Sequence, residues 1–293
     1  MRVSIIFVAI VVVISLLMLG CSPSQPVYRT IRDPAWESEL SLPPDTGGEL
    51  KLIAGKDFPG AKNGLVVYLP GGYDSHDKDY PVIFFLHGRG EIGDSTEYEV
   101  ILERVLDYGI PRMIAEGTWS PPYPFIVVAP QALPETQWLG LQEIGPELYR
   151  RYRIDETRQY VTGLSLGGAA TWDFIGWNGR SLPIAAAVPI AGFLSDDAAS
   201  EYMSIDGFDH IPIWAFHGAE DEVIDPQESI RLVEMTNADD PEYAAKLTIF
   251  TDLGHNCWDA VYPSAHDEPT QSEWAPFESS IYELMLQFRR VQQ

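Results

Sequence analysis

Cysteine is scarce in this chain of 293 residues: there are two, Cys21 and Cys257. Two residues cannot build a disulfide framework, so the fold rests on its core. Basic residues are also few, 19 Lys and Arg against 43 Asp and Glu, for a net charge of −24. That shortage argues against a nucleic-acid partner, which needs a Lys/Arg surface, and disfavours strongly anionic substrates by repulsion. No internal repeat, metal-ligand cluster or phosphate-binding P-loop is present, so neither a metal nor a cofactor is expected. One stretch, Gly88-x-Gly90-x-x-Gly93, has the spacing of a dinucleotide fingerprint. Asp94-Ser95-Thr96-Glu97 does not continue it as an apolar helix, and no second strand ending in an acidic residue follows at the proper interval. The dinucleotide reading is therefore set aside.

What is present is globular in character, with 45% apolar and 12% aromatic residues. The length suits one large α/β domain with a full core. Residues 1–20 stand apart. Arg2 precedes an apolar run from Ile5 to Leu19 that is broken only by Ser15 and is short for a membrane span. The run ends in Gly20-Cys21 and resembles a bacterial lipoprotein signal, although Met18 and Leu19 depart from the usual residues. That resemblance implies a lipid on Cys21 and a place on the cell envelope, facing the periplasm or the exterior; ordinary secretion and an uncleaved anchor are the alternatives. If Cys21 carries lipid, Cys257 has no disulfide partner. Residues 21–49 are rich in Pro, Ser, Asp and Gly and read as a tether and loose lead-in. Residues 50–293 read as the folded domain.

Within that domain, strand-like and helix-like patterns alternate. Buried strands are expected at Leu65–Leu69, Pro81–Leu86, Pro124–Pro130, Arg158–Thr162, Ile184–Ile190, Ile211–Phe216 and Ala245–Phe250. Helices are expected over Glu97–Glu116, interrupted at Gly109-Ile110-Pro111, and over Pro146–Tyr152, Gly168–Trp177, Pro226–Met235 and Trp274–Arg290. Such alternation predicts a mostly parallel central sheet with helices on both faces, and a site at the carboxyl ends of the strands.

Four elements fall at such ends. Gly163-x-Ser165-x-Gly167, after the strand through Thr162, has the spacing of a nucleophile elbow. Its turn is sharp, and side chains two before and two after the serine would collide there. Ser165 is the candidate nucleophile and needs a base to take its proton. Among six histidines, only His255 follows a late strand in a Gly-His loop; His266 is the main rival. His87 and His217 each open a His-Gly turn and read as loop holders. Asp221 is the candidate acid, although Glu220, Glu222 and Asp225 crowd it and could make the run a solvated face. The order Ser, Asp, His suits a triad on an α/β sheet. His87-Gly88-x-Gly90 reads as an oxyanion loop, so the backbone N–H groups of Leu166 and Arg89 are the candidate oxyanion donors. Trp138 and Trp258 are candidate substrate-binding residues, whereas Trp172, behind the elbow, reads as core. Cys257 lies two residues beyond His255 but reads as a small buried side chain, not a nucleophile.

His87-Gly88-x-Gly90-Glu91, Arg153-Ile154-Asp155-x-x-Arg158, Gly163-Leu164-Ser165-Leu166-Gly167-Gly168-x-x-x-Trp172, His217-Gly218-x-x-Asp221 and Gly254-His255 together resemble the secreted esterases of the α/β-hydrolase superfamily. The feruloyl-esterase and polyhydroxybutyrate-depolymerase-like groups, and related phospholipase/carboxylesterase-type proteins, are the ones it is most similar to. The resemblance spans roughly residues 50–293. It implies a serine esterase acting through an acyl-enzyme on a small-molecule or polymer ester, with the triad on Ser165, Asp221 and His255 and the oxyanion element after His87. A serine peptidase on the same scaffold is the alternative among enzymes, and a non-catalytic binding protein the alternative outside them. Two departures are Asp225 before Pro226, where relatives tend to have Val-Pro, and a short segment between Trp138 and Tyr152. Nothing in the sequence indicates an oligomeric state.

Overall fold

The computed structural model describes residues 26–93, 102–133, 141–178, 181–194, 208, 210–263 and 268–293. In chain order its strands are β1 (Tyr28–Arg32), β2 (Glu49–Ile53), β3 (Leu65–Leu69), β4 (Tyr80–Leu86), β5 (Ile126–Pro130), β6 (Ile154–Leu164), β7 (Ile184–Ile190), β8 (Trp214–Gly218), β9 (Lys246–Phe250) and β10 (Phe288–Gln292). Its helices are α1 (Trp36–Leu40), α2 (Gly109–Ala115), α3 (Leu141–Arg151), α4 (Leu166–Asn178), α5 (Gln227–Asn237), α6 (Trp258–Val261) and α7 (Ile281–Leu286).

Eight strands form the central sheet in the order β2-β3-β5-β4-β6-β7-β8-β9. Only β3 runs against its neighbours β2 and β5; every other pair is parallel. The sheet is thus mostly parallel, as the alternating pattern predicts. Side chains along a strand point alternately to opposite faces, and both faces are covered. Val82, Phe84 and Leu86 of β4 pack in one core with Leu148 of α3, Trp172 of α4 and Leu232 of α5. Ile83 and Phe85 face the other core with Ile110 of α2, Val261 of α6 and Met285 of α7. This two-sided burial explains why the central strands are uninterrupted apolar runs.

The chain crosses the sheet between β5 and β6, so the carboxyl ends of β4 and β6 lie side by side, with Leu86 opposite Gly163. Such a crossing leaves a crevice at the strand ends. The loops after β8 and β9 emerge from the same edge of the sheet.

Three expectations are corrected. The segment 21–49 is not a free tether throughout, because Tyr28–Arg32 is a strand paired antiparallel with β10. Asp33, just after it, pairs with the buried Arg158 of β6 and with Arg289 of β10. The expected helix over Trp274–Arg290 is only the short α7 followed by β10. Ser280 caps α7 by accepting a hydrogen bond from the Tyr282 N–H at 3.1 Å. Upstream, the N–H groups of Gln271 and Ala275 donate to Ile249 and Leu247 of β9, and the Trp274 N–H closes a turn on Gln271 O, so no helix runs through that stretch. Within the described part of Glu97–Glu116 there is a 3-10 turn at Glu103–Leu106 and then a separate helix, α2. Gly109, at φ 63°, breaks the two apart.

Candidate active site

The strand β6 ends at Leu164, and the helix α4 begins at Leu166, so Ser165 alone makes the turn. Its φ is 54°, a left-handed conformation that non-glycine residues rarely hold. Two contacts pin it there: the Ser165 N–H donates to Ile190 O at 2.9 Å, and the Ala169 N–H to Ser165 O at 2.9 Å. The flanking glycines are sterically required. A Cβ on Gly163 would stand 2.2 Å from Gly167 O, and one on Gly167 would stand 1.9 Å from Leu86 O. Gly168 is equally confined, with Ile190 O at 2.4 Å from its would-be Cβ. The elbow is therefore pressed against the end of β4 on one side and of β7 on the other.

His255 comes from the loop after β9. Its Nε2 lies 2.9 Å from Ser165 Oγ, and its Nδ1 lies 2.8 Å from Asp221 Oδ2. Asp221 comes from the loop after β8. Its Oδ1 accepts the N–H groups of Val223 at 2.8 Å and Ile224 at 2.9 Å. Burial raises the carboxyl pKa, but the hydrogen bonds from His255, Ile224 and Val223 outweigh it and leave Asp221 below the ordinary carboxylate value. The acid is thus ionised and fully hydrogen-bonded, and it holds the His255 ring with Nδ1 protonated and Nε2 free to accept from Ser165.

The candidate oxyanion loop follows β4. A 3-10 turn at Arg89–Glu91 opens it, rather than a helix beginning on the glycines. His87 is buried and neutral, with burial driving its pKa down to about 4. The Ala132 N–H donates to its Nε2 at 3.0 Å, so its Nδ1–H donates to Gly88 O at 2.7 Å. His87 therefore does hold the loop. The N–H groups of Leu166 and Arg89 each begin a helical turn, where no intrahelical acceptor exists for them. A Cβ on Gly167 would be 2.6 Å from His87 O, which sets the two backbones carrying these donors against one another. The positive end of the α4 dipole points at Ser165 as well.

The remaining sequence candidates separate clearly. Trp258 is only 6% exposed and packs edge-on to the His255 ring, centroids 5.2 Å apart, so it supports the base and offers little surface to a ligand. Trp172 is buried against Phe208, as core. Cys257 is buried and its thiol is pushed up by that burial, which suits a packing role. Trp138, His266 and Cys21 lie outside the described residues. Sequence reasoning missed the contact between His217 and the acid: His217 Nε2 lies 3.0 Å from Asp221 Oδ2. The signal was the four-residue spacing in His217-Gly218-x-x-Asp221, read only as a turn. Among the described residues, no group of three or more His, Cys, Asp and Glu side chains could hold a metal ion.

No family model and no curated protein matches this chain. Solved structures do. A feruloyl esterase module from Clostridium thermocellum, complexed with sinapinate, is 21% identical over 81% of this chain and 91% of its own, with a TM-score of 0.50. An S-formylglutathione hydrolase from Staphylococcus aureus is 17% identical over 76% of this chain and 97% of its own, also with a TM-score of 0.50. A thermostable esterase is 25% identical over 77% of this chain, which spans 55% of that esterase, with a TM-score of 0.44.

Proposed function

We propose that this chain, which has the α/β-hydrolase fold, is a serine hydrolase that cleaves carboxylic esters through an acyl-enzyme. The observation that carries the reading is the unbroken relay from Ser165 Oγ to His255 Nε2 at 2.9 Å and from His255 Nδ1 to Asp221 Oδ2 at 2.8 Å. Ser165 Oγ attacks the ester carbonyl carbon while its proton passes to His255 Nε2. Ionised Asp221 stabilises the imidazolium that results, and the N–H groups of Leu166 and Arg89 hold the oxyanion. The tetrahedral intermediate collapses as His255 returns the proton to the leaving alcohol. Water, deprotonated by the same imidazole, then releases the acid and restores Ser165.

Two features favour a neutral ester over an anionic one. The net charge of −24 repels anions, and the exposed Val223 and Tyr108 flank Asp221 and Trp258 with apolar surface. A lipid on Cys21, proposed from the sequence alone, would place the enzyme on the cell envelope; mass spectrometry of the mature N-terminus tests that part separately.

Ser165→Ala should abolish hydrolysis of short p-nitrophenyl esters while leaving the thermal transition in place, and a fluorophosphonate should label Ser165 in the parent chain. Turnover retained by the variant would overturn the mechanism. A folded parent that neither turns over nor labels would favour a binding protein. A panel of feruloyl, acetyl, polyester and short-acyl substrates beside peptide amides separates esterase from peptidase and identifies the acyl group.

A further inference from the structure

Asp221 is held by a donor that the triad does not require. Besides His255, its Oδ2 is approached at 3.0 Å by Nε2 of His217, a side chain with no exposed surface. The same Nε2 lies 3.2 Å from Ile224 O. A carbonyl only accepts, so Nε2 carries the hydrogen and shares it between Ile224 O and the carboxylate. On the other side of the ring, Nδ1 lies 2.7 Å from Ser229 Oγ on α5. Burial lowers the His217 pKa and keeps the ring neutral, although Asp221 pulls the other way. Nδ1 is therefore a lone pair, and the Ser229 hydroxyl donates to it. The tautomer of His217 is thus set from both ends.

We propose that His217, oriented by Ser229, is a positioning residue for the reaction: its Nε2–H fixes Asp221 Oδ2 in the plane of the His255 ring and draws off part of the carboxylate charge. The inference rests on the reading of Ser165, His255 and Asp221 given above. With two backbone N–H groups on Oδ1 and two imidazole N–H groups on Oδ2, the carboxylate has no freedom to rotate as the imidazolium forms. The charge it shares with His217 is charge it does not offer to His255, so removing His217 leaves more of the carboxylate charge to the His255 ring. Cys257 also interacts with Asp221, and burial keeps it as a neutral thiol; Glu220 and Glu222 are the acidic chain neighbours of Asp221. Ser165 and Trp258 are the groups on the remaining sides of His255.

The test compares His217→Leu with His217→Gln. A glutamine amide N–H can take the place of Nε2–H, whereas leucine offers no donor. Leucine should move the acid limb of kcat/KM, which reports His255 in the free enzyme, to higher pH by about one unit. That is the roughly tenfold change in proton affinity expected from one lost hydrogen bond to a charged group. The plateau kcat should fall about tenfold or more with KM little changed, and glutamine should restore the acid limb and much of kcat. A folded His217→Leu enzyme with the parent pH profile, or a glutamine variant no better than leucine, would overturn the proposal. Nitrogen-15 NMR of the parent chain needs neither turnover nor a variant that folds. At neutral pH His217 should be the Nε2–H tautomer, and a hydrogen on Nδ1 there would equally overturn it. A parent chain with the expected tautomer but no ester turnover and no labelling of Ser165 would instead sink the hydrolase reading.

Discussion

Replacing Gly167 with alanine should impair catalysis by moving the oxyanion loop. The added Cβ would stand 1.9 Å from Leu86 O, 2.4 Å from Leu86 C and 2.6 Å from His87 O. Folded proteins essentially never show such a contact under 3.0 Å, so one backbone must retreat from the other by about 1 Å. No flexible side chain is available to absorb the clash, because all three atoms belong to the backbone at the end of β4. Overpacking of this kind costs about 1–3 kcal/mol. At about 2–4 °C per kcal/mol for a domain approaching this size, Tm should fall by roughly 2–12 °C. The same displacement separates the N–H of Arg89 from that of Leu166, and a 1 Å misplacement of catalytic groups costs on the order of 100-fold in rate. Calorimetry and steady-state hydrolysis of a p-nitrophenyl ester read the two effects. Gly90→Ala is the contrast for Tm: nothing lies within 4 Å of its added Cβ, so its transition should stay within about 2 °C of the parent. A Gly167→Ala enzyme with parental Tm and parental kcat would refute the claim that the elbow and the loop after β4 are in rigid contact.

Other outcomes follow from the same geometry. Asp221→Asn should lower kcat about 10³–10⁴-fold at neutral pH, because one amide oxygen cannot serve both the two backbone N–H groups and the two imidazoles; single-turnover kinetics would show the loss in acylation. His87 has a folded pKa of about 4 against an ordinary value of 6.5, so the unfolded chain takes up the proton first on acidification. Its contribution is fully present above about pH 6.5 and is lost as pH falls towards 4, on the order of 3 kcal/mol in total; urea unfolding across that range should show the slope, and His87→Gln should flatten it. Asp33→Ala should cost about 3–5 kcal/mol by leaving the buried Arg158 without its main counter-charge, a loss that chemical denaturation would detect.

Much of the site is legible in the sequence because its constraints are local. The elbow glycines are required by atoms within a few residues or on the adjoining strand, and no side chain could be tolerated there. Continuous apolar runs mark strands buried on both faces, and their alternation with helical segments defines a parallel sheet whose loops converge at one edge. These features suffice to order Ser165, Asp221 and His255 along the chain and to place an oxyanion loop after His87. They do not give a distance between any two of them.

Tertiary structure decided what depends on residues far apart in the chain. The pairing of β1 with β10 joins segments about 260 residues apart in register, such as Thr30 with Arg290. Neither segment carries a local signal strong enough to outweigh a tether on one side and a helical pattern on the other. Trp258 reads as a pocket residue from its place after the base, but packing buries it edge-on against the His255 ring. His217 reads as a turn residue, and only the approach of α5, bringing Ser229 to its far nitrogen, turns it into a fixed donor for the acid. Local sterics act through the chain itself and can be read from it. The tautomer of a buried ring and the partner of a terminal strand are set by whatever the folded chain brings alongside.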